Sequence, residues 1–316
     1  MLDVVALGEL LIDFTCTATD ADGYPTMAAH PGGAPANFLA ALAKFGAKAG
    51  MIGKVGDDTF GHLLCSTLDQ AGIDTRGMVQ SDDVFTTLAF VTLDASGDRE
   101  FAFGRKPGAD TQLRWEEVRR DILDETRVLH FGTLSLTDEP ARTATREAIA
   151  YAKAAGKLIT YDPNLRKPLW HDLNDAKREI LWGLSVADVV KISDEEVDFL
   201  WSLTPQQGAE KILNETGVQL VFVTCGKDGC WYQSRQASGH ADSLAGVHVV
   251  DTTGAGDIFG GSAVYQLLQT GKAPQDLTGD ELQAITRFAC VSAGLSTTRP
   301  GGISSVPEKD VVLANM

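Results

Sequence analysis

Apolar positions along the chain follow two alternating rhythms. Short contiguous runs have the length and β-branched content of buried strands: DVVALG (3–8), AGMIGKV (49–55), VLHFGTL (128–134), KLITYD (157–162), ADVVKIS (187–193) and LVFVTCG (220–226). Longer stretches with helical spacing lie between them. These are Ala36–Phe45, closed by Gly46, Phe60–Gln70, closed near Gly72, Pro140–Ala155, closed by Gly156, Asp175–Gly183 and Glu195–Trp201. Strands alternating with helices predict parallel βαβ units, a sheet covered on both faces and right-handed crossovers.

Two segments break the alternation. Residues 84–104, VFTTLAFVTLDASGDREFAFG, read as two strands joined by Ala95-Ser96-Gly97-Asp98, a hairpin signal with no helix beside it. Residues 14–31 also lack a helical period. Together they predict a small β-sheet projecting from the α/β body, a lid that closes over substrate and excludes water. An ordinary edge hairpin fits the composition as well. Phe85, Phe90, Phe101 and Phe103 would give such a lid an apolar face for a homodimer.

Composition narrows the partners. No repeat, low-complexity tract or long linker interrupts the chain, so residues 1–316 are expected to form one domain carrying both lid segments. The 43 acidic residues against 27 basic ones leave a formal charge of −16, a field that repels nucleic acid and anionic membrane. An anionic substrate therefore needs a local device to hold it. No run approaches the ~20 apolar residues that cross a bilayer. The first residues carry Asp3, Glu9 and Asp13 and lack the basic start of a secretion signal. Five cysteines, an odd number, argue for a reducing cytoplasm over a disulfide framework.

The strongest local chemistry is Asp251-Thr252-Thr253-Gly254-Ala255-Gly256-Asp257. Strand-like GVHVV (246–250) precedes it, and Phe259, Ala263 and Leu267 follow at helical spacing. The glycines should therefore sit at a strand-to-helix turn, with uncovered N–H groups making an anion site at the positive helix end. No Gly-Lys-Ser/Thr follows, so this is not a Walker loop, and no dinucleotide fingerprint follows the first strand. A carboxylate in that first turn should be ionised, with its pKa pulled down by the helix end. Asp257 can then orient an alcohol and accept its proton late in phosphoryl transfer. A purely structural first-turn acid is the competing explanation. Gly260 and Gly261, each worth roughly 1 kcal/mol against Ala in a helix, point to close approach of a ligand or a neighbouring backbone.

A second glycine motif, Pro31-Gly32-Gly33-Ala34-Pro35-Ala36-Asn37, leads into the first helix and offers close backbone approach plus the donor and acceptor of Asn37. With these two motifs in this order, the chain resembles the ribokinase or PfkB family of carbohydrate kinases. The likeness runs from DVVALGELLID near the start to TTRPGGISSVP near the end. FGRKPGAD (103–110), YDPNLRKPLW (161–170) and KISDEE (191–196) look most like fructokinases. The resemblance implies a ribokinase-like three-layer α/β/α sandwich with a mainly parallel sheet and a β-lid. It also implies transfer of the γ-phosphate of ATP to a sugar hydroxyl, giving fructose 6-phosphate from fructose. Acceptors left open are 2-keto-3-deoxygluconate, ribose or a nucleoside, and a sugar-responsive regulator without catalysis is a rival of another class.

The resemblance assigns residues one by one. Asp257 falls at the catalytic base, and Gly254, Ala255 and Gly256 at the anion hole. Asp13, at the end of an early strand, and Gly32, Gly33 and Asn37 match sugar-contacting positions, while Arg105 matches an arginine that closes on the sugar. Thr224, Gly226, Lys227 and Gly229 look like the nucleotide-binding turn, and a plain hairpin fits them too. Lys191 and Cys290 also fall at the ATP site, although a core role suits Cys290 equally. Glu196 matches the family's Mg²⁺-organising glutamate, with Ser193 in place of its asparagine; Ser193 and Glu196 also read as a helix-capping pair. Asp251, Thr253, Ser296, Arg299, Gly301 and Ser305 fall where relatives bind K⁺, or form a structural turn. Cys225 and Cys230 lack further ligands at zinc spacing.

Overall fold

The computed structural model describes residues 1–93 and 99–316, with side chains described outside 92–101. Its central sheet runs β13-β12-β11-β10-β9-β8-β1-β4-β5. The strands are β1 (Leu2–Leu7), β4 (Ala49–Gly56), β5 (Asp74–Ser81), β8 (Thr126–Gly132), β9 (Leu158–Asp162), β10 (Val189–Ser193), β11 (Leu220–Thr224), β12 (Cys230–Ser234) and β13 (Ser238–Ala241). Neighbours from β5 to β11 pair in parallel, and β12 and β13 add an antiparallel edge. Ten helices are described: α1 (Ala34–Lys44), α2 (Thr59–Gln70), α3 (Arg120–Glu125), α4 (Ala141–Ala154), α5 (Leu173–Val186), α6 (Asp194–Trp201), α7 (Pro205–Glu215), α8 (Ala255–Thr270), α9 (Gly279–Ser296) and α10 (Lys309–Ala314).

The period of two along the strands builds the layers. In β1, Val5 and Leu7 face a core with Ala148 and Ile149 of α4, Ile180 of α5 and Ile212 of α7. Val4 and Ala6 face the opposite core with Phe38 and Leu39 of α1, Leu64 of α2 and Ile258 of α8. A further cluster joins Phe222 and Tyr232 to Phe259 of α8 and Ile285 of α9. Both sheet faces are thus covered, which is why the central strands read as largely apolar runs, with polar residues such as Asp162 and Ser193 at strand ends.

The expected lid is a second sheet, β3-β2-β6-β7, made of β2 (Leu11–Thr19), β3 (Pro25–Gly32), β6 (Leu88–Leu93) and β7 (Arg99–Gly104). β2 pairs antiparallel with β3 and parallel with β6, and β6 pairs antiparallel with β7. The turn expected at Ala95–Asp98 lies outside the described residues, as does the side chain of Phe101. Phe14 stacks on Phe90 at 5.2 Å and meets Phe60 of α2 edge-on at 5.6 Å, which fastens one lid face to the body. Phe103 faces the cavity described below, and among the described side chains of the expected apolar face Phe85 is the exposed ring, 56% accessible. No helix among the described residues is long and apolar enough to cross a membrane.

One expected element is absent. Residues 246–250 form no strand but a loop, with Val249 and Val250 more than half exposed. The valines there have no strand to pair with; Val247 and Val249 instead line a cavity.

Candidate active site

The glycine motifs meet because α1 and α8 cross closely. A Cβ on Gly261 would overlap the Phe38 carbonyl, and one on Gly260 would lie 3.4 Å from the Phe38 ring. A neighbouring backbone, not a ligand, therefore explains Gly261, while Gly260 meets only the Phe38 ring at ordinary contact distance. The crossing brings Asn37 to Asp257, 220 residues away, with Nδ2 donating to Oδ2 at 2.9 Å. Asn37 Oδ1 is buried and has no hydrogen-bond partner among the described residues.

Gly254 caps α8 in the left-handed region at φ 75°, where a side chain would be strained. Of the three amides expected to form the anion hole, that of Ala255 is taken, donating to Thr252 O at 3.2 Å. The Gly254, Gly256 and Asp257 N–H groups have no acceptor among the described residues. They stand open at the positive end of α8, where an anion is favoured.

Asp257 is buried, and its pKa moves opposite to expectation. Burial pushes it above the ordinary aspartate range, and the donor from Asn37 and the charges of Lys191 and Arg166 offset only part of that rise. Loss of water outweighs the helix end. The result is a stronger base than a surface aspartate.

Two cavities, of about 640 and 610 Å³, meet at the start of α8, and Asp257 lines the first of them. Gly256, Lys191, Asn164, Arg166 and Thr252 line both. The first runs under the lid past Glu9, Asp13, Gly33, Asn37, Val91 and Phe103 to Asp257. Asp13 lies inside β2 instead of at a strand end, and burial raises its carboxyl to about 6, with Arg166 opposing and Asp257 and Asp251 adding to the rise. Gly32 does not line the cavity; a Cβ there would overlap Asp13 Oδ2, so Gly32 makes room for that carboxylate.

Arg105 departs from expectation. It is 6% exposed and does not line the cavity. Its Nε donates to Asp110 Oδ2, Nη1 to Thr137 Oγ1 and Nη2 to Leu134 O, each at 2.8 Å. Asp110, five residues on, neutralises the guanidinium inside the body and leaves it little to offer a ligand.

The second cavity is lined by Ser193 and Glu196 at the start of α6, the turn Thr224, Gly226, Lys227 and Gly229, and an apolar wall of Leu244, Val247, Val249, Phe259, Cys290 and Ala293. The turn joins β11 to β12 as a hairpin, and the same residues line this cavity. Ser193 and Glu196 do form a capping box, and Glu196 Oε1 additionally accepts from Leu165 N at 2.7 Å. Cys290 Sγ donates to Ala241 O, and burial pushes its thiol up to about 12.

The expected cation residues lie in the loop before α8, at the end of α9 and in the segment that follows it. Asp251 Oδ1 accepts from Thr253 N and Oγ1, and Oδ2 accepts from Gly301 N at 3.0 Å. Ser296 and Ser305 hydroxyls donate to Ala293 O and Gly302 O, and Arg299 N donates to Ser296 O. No cluster of three or more metal-ligating His, Cys, Asp or Glu occurs among the described residues, so a cation here would rely on carbonyl oxygens.

Sequence reasoning missed Glu9, Asn164 and Arg166. The last two belong to YDPNLRKPLW, whose turn character was visible in Pro163 and Asn164. Nothing local revealed that this turn faces both cavities.

Comparisons with known proteins show which family the chain resembles along nearly its whole length. Residues 1–309 match the family described as pfkB family carbohydrate kinase. A fructokinase-2 of Solanum lycopersicum is 39% identical over 317 residues, spanning 96% of this chain and 93% of that protein. A fructokinase of Xylella fastidiosa, solved with bound ATP, superposes with a TM-score of 0.91 at 30% identity, covering 99% of this chain and 98% of the other. A fructokinase of Vibrio cholerae O395, solved with fructose, ADP and calcium ion, superposes with a TM-score of 0.86 at 28% identity, covering 99% of each chain.

Proposed function

The chain belongs to the pfkB family of carbohydrate kinases, and we propose that it transfers the γ-phosphoryl group of ATP to a hydroxyl of D-fructose, forming D-fructose 6-phosphate and ADP. It is a phosphotransferase with an alcohol acceptor. One observation carries the mechanism: a buried carboxylate and open main-chain amides stand together where two cavities join.

In this mechanism the sugar lies under the lid and ATP lies along the Thr224–Gly229 turn. The acceptor hydroxyl gives its proton to Asp257 as its oxygen bonds to the γ-phosphorus, and the bond from phosphorus to the bridging oxygen breaks, leaving its electron pair on ADP. Asn37 orients the Asp257 carboxylate. The Gly256 and Asp257 amides, with the Lys191 and Arg166 cations, face the charge on the transferring group. The lid wall of Asp13, Val91 and Phe103 keeps out water, which would otherwise compete as acceptor. Mg²⁺ accompanying ATP would neutralise the phosphate oxygens. Glu196 fits a contact through water, because both its oxygens already accept amides, from Leu165 and Ser193. On the same reading K⁺ would sit between the 251–253 and 296–305 segments on carbonyl oxygens.

A neutral acceptor fits better than a sugar acid such as 2-keto-3-deoxygluconate. The sugar end carries Glu9 and Asp13, while Arg105 is already paired with Asp110. The test is ATP-dependent ADP release over a panel of fructose, ribose, glucose and 2-keto-3-deoxygluconate. Fructose should give the highest kcat/KM, and D257N should lose about 10²–10⁴-fold in kcat with sugar binding retained. Wild-type inactivity on fructose rejects the acceptor, and near-normal turnover in D257N rejects the base.

A further inference from the structure

Asp162 ends β9 and Lys191 lies in the adjoining β10, so the sheet sets them side by side. Both side chains are nearly buried, and Lys191 Nζ donates to the two Asp162 oxygens at 3.0 and 3.2 Å. An ammonium has three donors. Among the described residues, Asp162 supplies its hydrogen-bond acceptors, and Nζ lies 3.0 Å from where a Cβ on Gly256 would stand. A bulkier residue at 256 would press on this ammonium.

The same carboxylate does a second task. Its Oδ1 accepts from Asn164 N at 3.2 Å, where the chain turns with Asn164 at φ 47°. Asn164 and Arg166 from that turn line both cavities. Neighbouring His130 of β8 bonds Thr160 and does not compete for Asp162; burial, then the charge of Lys191, hold its pKa down to about 3.

A buried ion pair by itself is weak reason to assign a role, since apolar replacements of such pairs are often tolerated. This pair differs in its position. Its lysine lines both cavities where they meet, against Gly256 with its open amide, and Asp162 stands behind that lysine, off both cavities. We propose that Asp162 is a positioning residue for phosphoryl transfer, holding the Lys191 ammonium and the Asn164–Arg166 turn at the junction the γ-phosphoryl group crosses. The inference rests on the kinase reading given above.

The test is a double-mutant cycle in kcat with MgATP and whichever panel sugar the wild type uses best, run on the full chain with D162N, K191M and D162N/K191M. Thermal unfolding and sugar KM are measured alongside. D162N should lower kcat by about 10-fold or more while sugar KM stays within about threefold, and K191M should do the same or worse. If Asp162 acts through Lys191, adding D162N to K191M should cost less than about threefold further. D162N leaves a buried ammonium unpaired and can fail to fold; K191M leaves a buried carboxyl, which burial drives to its neutral protonated form once the ammonium is gone, and D162N/K191M carries neither charge, so the comparison of those two decides the matter alone, with thermal unfolding confirming that both fold. Wild-type kcat in D162N, or a further loss of about 10-fold or more on adding D162N to K191M, overturns the proposal. Failure of the kinase reading shows differently, as a wild type inactive on every sugar of the panel.

Discussion

Asn37 tunes Asp257 as well as orienting it. Its amide is the leading influence that holds the Asp257 pKa down against burial. On the proposed mechanism turnover needs the ionised carboxylate, so activity should fall on the acid side as Asp257 takes up a proton. N37A removes the stabilising donor, so the acid limb of the kcat–pH profile should move to higher pH, with kcat at its plateau down by about 10-fold or more. An unmoved acid limb would show that Asn37 only fills space. At this scale the sequence was readable where chemistry is local. Asp257 and the glycines around it carried their own signal, and so did the Ser193–Glu196 cap. Arg105 was misread because its fate depends on Asp110 and on the Thr137 and Leu134 acceptors, which only the fold brings to it. The direction of the Asp257 shift was misread for a similar reason: the helix end is visible in sequence, but the depth of burial is not.

Between elements, the crossing of α1 and α8 sets the distance from Asn37 to Asp257. Phe38 O sits against Gly261, and the Ala41 side chain would be 3.0 Å from an added Cβ there. G261A should therefore destabilise by about 1–3 kcal/mol, the usual range for overpacking, as measured by denaturant unfolding. It should also lower kcat, because the helices can separate only by pulling Asn37 from Asp257. A G261A protein of unchanged stability and turnover would show that the crossing has slack. The alternation of strands and helices was legible because burial on both sheet faces writes itself as contiguous apolar runs. The 246–250 loop deceives for the same reason: Val247 and Val249 line a cavity, and an apolar cavity wall and a buried strand share one composition. The lid was legible from its loss of helical period, since β2 and β6 alternate between the Phe14–Phe90 layer and the cavity.

Over the whole molecule, the site places carboxyls where folding favours their protonated form. Glu9 sits between β1 and the lid, accepts from Ala34 N at 2.9 Å, and is raised by burial to about 7; Asp13 is raised to about 6. A carboxyl with a raised folded pKa holds its proton longer in the folded state than in the unfolded one. Between its unfolded pKa and its folded pKa the native state binds more protons, so stability falls as pH rises through that window. For Glu9 the window runs from about 4.5 to about 7. Asp58 and Asp74 act in the opposite sense. Burial raises Asp58, but donors from Thr86, Gly61 and Phe60 hold it low, and Arg76 holds Asp74 low. Their contribution is present above the usual aspartate pKa and is lost as pH falls through their depressed values. The ligand-free protein should thus be most stable near pH 4.5–5.5 and weaken toward pH 8. E9Q keeps an acceptor for Ala34 N without the ionisation. It should raise the unfolding temperature at pH 8 relative to wild type, and the gain should shrink toward pH 5. An E9Q gain that is the same at both pH values would separate Glu9 from the pH dependence and assign it a packing role alone.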